Sequence, residues 1–175
     1  MDAKLDYLAK ELWILAWNAS VQRASLYRED RDPNPEETRI FRENVVNHLS
    51  SQVIPSYSTE AITEEQHYKH IDNLISYANG VDGGVLGQFS YKYGVAQKLL
   101  NLALKYYWCL GAIAEPPHCP VDRLIIDKTI YKGKINWTEI AQRSDYQKII
   151  EDIRRLARAQ GMSIAMWELS MYSRR

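Results

Sequence analysis

Lys98 lies in the run Tyr91-Lys-Tyr-Gly-Val-Ala-Gln-Lys-Leu-Leu-Asn-Leu-Ala-Leu-Lys105, and Asp122 ends the run Pro116-Pro-His-Cys-Pro-Val-Asp122. A lysine in the first turns of a helix can serve as an amine nucleophile, and a nearby carboxylate can orient it or stabilise developing positive charge. The helix dipole and partial burial both favour the neutral amine, which is the form that attacks carbon. Gly94, Val95 and Ala96 would present backbone amides at the helix start, where a phosphate can be held. No acidic residue occurs between Phe89 and Leu110, so Lys92, Lys98 and Lys105 form a local basic strip. Both key residues also have plain structural roles. Lys98 can lay its stem over apolar surface, and Asp122, directly before Arg123-Leu-Ile-Ile, can cap a helix.

Other constellations carry less. Cys109, His118 and Cys119 have zinc-ligand chemistry but no evident fourth ligand, so no metal site is expected. His67 and His70, three apart, read as a solvated helix face. Lys148, Arg154, Arg155 and Arg158 can contact phosphates, but Glu151 and Asp152 interleave and make an ordinary salt-bridged face at least as good a reading. Gly83-Gly-Val-Leu-Gly87 lacks the Gly-Lys-Ser/Thr of a phosphate-binding loop. No pattern calls for a cofactor.

The chain has 175 residues, 46% hydrophobic and 25% charged, with formal net charge zero. That size and composition fit one folded domain spanning 1–175 with a substantial core. Zero net charge removes bulk attraction to polyanions, so any nucleic-acid role needs a local basic surface. Two cysteines are too few for a disulfide framework and fit a reduced cytoplasmic setting. Met1-Asp-Ala-Lys-Leu-Asp lacks the apolar core of a secretion signal, and no run is long enough to suggest a membrane span.

The periodicity is helical nearly throughout and predicts a compact all-α domain. A first helix is expected from Asp2 to about Arg28, with Leu5, Leu8, Leu12, Leu15 and Ala16 recurring at helical spacing and Trp13 and Trp17 four apart. Glu29 to Pro35 reads as a charged loop. Asn34 then caps a second helix that begins at Pro35 and runs to about Val53, with Ile40, Phe41, Val45, Val46 and Leu49 inward. Thr63 and Gln66 make a capping box for a third helix ending near Gly80. Ser90 is the expected cap of a central, mostly apolar helix from Gly94 to about Leu110, closed by Gly111. Val121–Ile130 fits a short helix better than a strand in this helical context. Asn136 or Thr138 opens a small helical piece. A longer helix follows from Ser144 or Asp145 to Ala159, with Ile149, Ile150, Ile153 and Leu156 inward. Ser163 caps a last helix carrying Trp167.

Gly94-Val-Ala-Gln-Lys-Leu-Leu-Asn101, followed by Val121-Asp122 before an apolar helix, resembles the helix-hairpin-helix DNA glycosylases. Those enzymes carry Gly-Val-Gly-x-Lys-x-x-Asn and a later Val-Asp. The resemblance covers residues 91–126, with Ala96 where the family has its second hairpin glycine. It places Lys98 on the family's nucleophilic lysine, Asp122 on its aspartate and Asn101 on a recurrent helix residue. It implies a DNA partner and a flipped nucleotide whose C1′ the lysine attacks to expel the base. Lys92, Gly94, Val95, Ala96 and Lys105 would then contact DNA. The alternative, from another class, is a non-enzymatic helical module whose tyrosine and tryptophan surfaces bind a protein partner.

Overall fold

The computed structural model describes residues 3–28, 34–58, 61–87 and 90–171, the side chain of Leu5 excepted. It is an all-α fold. The described residues form seven α-helices: α1 Ala3–Val21, α2 Pro35–His48, α3 Glu64–Gly80, α4 Tyr93–Cys109, α5 Arg123–Ile126, α6 Arg143–Ala159 and α7 Ile164–Met171. Among these residues there is no strand, only an isolated bridge between Tyr27 and Leu86. None of their helices is long and apolar enough to cross a membrane. Most of the expected loop at 29–35 and the terminal Arg174 and Arg175 lie outside the described residues.

The local signals for two helices act as read. Asn34 accepts from the Glu36 N–H with Pro35 at the helix start, and Thr63 and Gln66 form a reciprocal capping box. Gly111 and Gly161 take left-handed φ values of 70° and 67° after α4 and α6, where a side chain would be strained. α4 is the central helix and packs against α1, α3, α6 and the 3₁₀ turn Trp137–Glu139. Every residue from Tyr93 to Leu104 except Leu102 is buried.

Several boundaries and faces differ from expectation. α1 stops at Val21, and Arg23 and Ser25 then adopt positive φ of 65° and 45°. Its buried face is Trp13, Ala16, Trp17 and Ser20, which leaves Leu8 and Leu15 exposed. Ile40 on α2 is also exposed. The expected helix to Val53 leaves α geometry after His48 and continues as a π turn, Leu49–Val53, and a 3₁₀ turn, Ile54–Tyr57, holding Pro55. Ser90 does not cap α4. It has φ 57°, the helix begins at Tyr93, and the Gly94 N–H donates to the Ile140 carbonyl at 2.9 Å. A carbonyl from a distant turn therefore does part of what a cap side chain would do. The helix expected over Val121–Ile130 is confined to the single turn of α5.

Candidate functional site around Lys98 and Asp122

α4 places Lys98 one turn from its N-terminus, 9% exposed, with Nζ 4.0 Å from the centroid of the Trp137 ring. Trp137 is brought there by the 3₁₀ turn that receives Gly94. A Cβ on Gly94 would lie 1.9 Å from the Trp137 carbonyl oxygen, so only glycine allows this approach. Burial lowers the Lys98 pKa. The Asp122 charge raises it in part, and Arg23 lowers it further. Lys98 and Asp122 thus share one electrostatic neighbourhood with Arg23 from the segment after α1. The indole face compensates the ammonium through its quadrupole.

Asp122 is the N-cap of α5, accepting from the Ile125 N–H at 3.1 Å. The cap role is therefore compatible with the electrostatic influence of Asp122 on Lys98. Arg123 and Asn136, the chain neighbours of Asp122 and Trp137, line a surface groove of about 310 Å³ together with Asp127, Gly133, Lys134, Ile135 and Glu139. Lys98 is not among the residues that line this groove.

The other expected contacts are engaged within the chain. Gly94, Val95 and Ala96 are buried, and their N–H groups donate to Ile140, Lys92 and Lys92 carbonyls. They do not offer unused amides to a phosphate. Lys92 is half-buried at the cap position of α4. Lys105, read as part of a local basic strip that would contact DNA, is buried and held by both oxygens of Glu168 from α7 at 2.9 and 2.7 Å. Seven residues beyond Lys98 on a helix apolar on most sides, it faces α7 instead of solvent. Arg154 pairs with Glu64 and Arg155 with Asp152, so part of the α6 strip is a salt-bridged face.

Sequence reasoning missed a buried polar chain beneath the site. Gln97 Nε2 donates to the Val121 carbonyl at 2.7 Å, and Gln97 Oε1 accepts from the Val121 N–H at 3.1 Å. Asn101 Nδ2 reaches Gln97 Oε1 at 3.3 Å and the Tyr146 hydroxyl at 3.0 Å. Tyr146 meets His118 Nδ1 at 3.1 Å, and His118 Nε2 meets Glu64 at 2.9 Å. The donors fall in one direction. Asn101 gives to Tyr146, Tyr146 gives to His118 Nδ1, and Nε2–H gives to the carboxylate, which assigns a neutral ε-tautomer. Burial lowers the His118 pKa, with Glu64 opposing, which agrees with that neutral state. Glu64 is held at about 2 by His118 first and then Arg154.

His67, read as part of a solvated face, is fully buried and bonds Tyr57 through Nδ1 at 2.8 Å. His118 likewise belongs to this polar core. Cys109 is exposed and Cys119 buried, and no cluster of three metal-ligating side chains exists among the described residues. One sequence signal for the chain was present: polar Gln97 and Asn101 sit four apart on a helix that is apolar on most sides, where buried polar groups need partners.

Comparison with protein-family models, with curated proteins and with solved structures finds no match for this chain.

Proposed function

We propose that this chain acts on DNA through the Lys98 amine, as a protein resembling the helix-hairpin-helix glycosylases. The observation that carries the reading is a buried lysine amine, its pKa lowered by desolvation, sharing its neighbourhood with the Asp122 carboxylate at a helix cap. A neutral Nζ attacks C1′ of a flipped nucleotide, and the C1′–N bond breaks as the base leaves with the electron pair and a proton. The nitrogen lone pair then expels O4′, which leaves C1′ with the bonding pair and takes a proton from solvent, and the resulting iminium between Nζ and C1′ carries a positive charge that Asp122 stabilises. The Trp137 ring lies against the amine, its centroid 4.0 Å from Nζ. Because the amides of α4 are occupied, phosphate contacts fall to side chains. Arg123, Lys128, Lys132 and Lys134, all exposed after Asp122, are the nearest such group in sequence.

Borohydride reduces such an iminium to a permanent protein–DNA crosslink. Across a panel of damaged and abasic duplexes, the wild type should crosslink and Lys98→Gln should not. A crosslink that survives Lys98→Gln assigns the reaction to another amine. Absence of crosslinking on every duplex, together with no duplex binding at low salt, removes the reading. The non-enzymatic module then stands. One observation favours that module: Tyr7, Leu8, Ile14 and Leu15 on the outer side of α1 are 63%, 42%, 46% and 46% exposed.

A further inference from the structure

Gln97 touches both halves of the site. It precedes Lys98 in α4, and its side-chain amide holds Val121, the residue before Asp122, by both donating to and accepting from that residue's backbone. We propose that Gln97 is the positioning residue that keeps Asp122 within electrostatic reach of the Lys98 amine. This rests on the lysine-centred reading above.

The geometry of the amide is what carries the assignment. A single hydrogen bond fixes a distance. A paired donor and acceptor on one residue also fix its rotation, as adjacent strands do in a ladder. Only a carboxamide of this length supplies both groups. Glutamate lacks the donor, and leucine or methionine lack both groups. The amide itself cannot turn. Its second N–H is used by the Gly94 carbonyl at 3.0 Å, and its oxygen also accepts from Asn101 at 3.3 Å.

The loop is pinned a second time. His118 lies three residues before Val121 and is tied to Tyr146 on α6 and to Glu64 at the start of α3. Pro116, Pro117 and Pro120 restrict the backbone around it. Asp122 then leaves the loop in a fixed direction, and its cap bond to Ile125 orients the carboxylate. The charged groups coupled to Lys98 are Asp122 and Arg23, with the Trp137 ring against the ammonium.

The test reads the Lys98 amine directly in the full chain without DNA. Trace acylation with acetic anhydride across a pH series, followed by mass spectrometry of the Lys98 peptide, gives the midpoint of its titration. Asp122→Asn should lower the midpoint, because the charge that raises it is gone. Gln97→Leu should lower it in the same direction and by a similar amount, because the released loop no longer holds Asp122 in place. The double variant should titrate with Asp122→Asn alone. An unchanged midpoint in Gln97→Leu overturns the proposal, and so does a shift that adds in full to that of Asp122→Asn. A merely structural glutamine would produce one of those two results. Gln97→Met keeps the length of the side chain and replaces Gln97→Leu if the latter fails to fold, as judged by circular dichroism. Coupling without any DNA crosslink would sink the DNA reading while leaving the positioning role, whereas crosslinking without coupling would do the reverse.

Discussion

Removing one partner of the Lys105–Glu168 pair should destabilise the protein more than most single changes. The two side chains are only 10% and 5% exposed, and both carboxylate oxygens face the ammonium. Glu168→Gln leaves a buried ammonium without its counter-charge, and Lys105→Met leaves a buried carboxylate. Breaking a buried pair in this way costs about 3–5 kcal/mol. For a chain of this size each kcal/mol lowers Tm by about 2–4 °C, so each single variant should melt roughly 6–20 °C lower. Replacing both residues with methionine removes both charges and should return the protein to within about 2 kcal/mol of the wild type. The pH dependence gives a second reading. Burial already raises the Glu168 pKa, and Lys105 opposes that rise. In Lys105→Met the opposition is gone, so the native state holds a proton that the unfolded chain has lost. Stability of that variant should therefore fall as pH rises from the ordinary glutamate range through the raised native value, and recover on acidification. Urea unfolding across pH measures both effects. Losses below about 1 kcal/mol in each single variant would show that the pair is solvated, as surface pairs are. The same doubly substituted protein separates structure from recognition: the salt dependence of any duplex binding should be unchanged, since Lys105 faces Glu168.

Gly94→Ala should be among the most damaging conservative changes in the chain, because its Cβ would meet the Trp137 backbone oxygen at 1.9 Å. Overpacking of this kind costs at least about 1–3 kcal/mol, and thermal melting of Gly94→Ala at wild-type stability would contradict the close approach. Acid should destabilise the wild type in two stages. His118 is held below its ordinary 6.5 by burial, so the unfolded chain takes up that proton first as pH falls through this region. Glu64 is held at about 2, so the stability it contributes is present above its ordinary 4.5 and lost as pH falls toward 2. His118→Phe should shrink the first stage without erasing it, because burial also lowers the pKa of His67, His70 and His48, and should weaken the second; a stability profile flat between pH 7 and 4 in the wild type would refute the assignment.

The helices were legible where the signal is local. Asn34 with Pro35, Thr63 with Gln66, and the glycines at 111 and 161 act through bonds or torsions within a few residues. Their geometry follows from chemistry that the sequence displays directly. The failures have a common cause in contacts made across the chain. Ser90 had the right chemistry for a cap, but the Ile140 carbonyl takes the Gly94 N–H and moves the start of α4. The leucines of α1 have helical spacing, yet Trp13, against Tyr107 of α4, and Trp17, against Phe41 of α2, occupy the buried face and leave Leu8 and Leu15 outward. Periodicity identifies the element but does not choose between two apolar faces.

The site divides along the same line. Lys98 and Asp122 were visible because lysine and aspartate advertise their chemistry, and the coupling between them joins α4 to a cap 24 residues later. What holds them together was not visible. Gln97 and Asn101, polar and four apart on α4, signal buried partners, but nothing in the sequence names those partners as Val121 and His118 of the proline loop and Tyr146 of α6. Their value lies in matching donors to acceptors inside the core, where an unpaired group costs about 1–3 kcal/mol. Although Asn101 Oδ1 makes no hydrogen bond, the chain holds Gln97 against rotation through its paired bonds to Val121. It can therefore set the position of a loop more sharply than apolar packing alone, which tolerates substitutions of similar volume. In chemistry by the Lys98 amine, the bonds of Gln97 to Val121 decide where the Asp122 carboxylate stands.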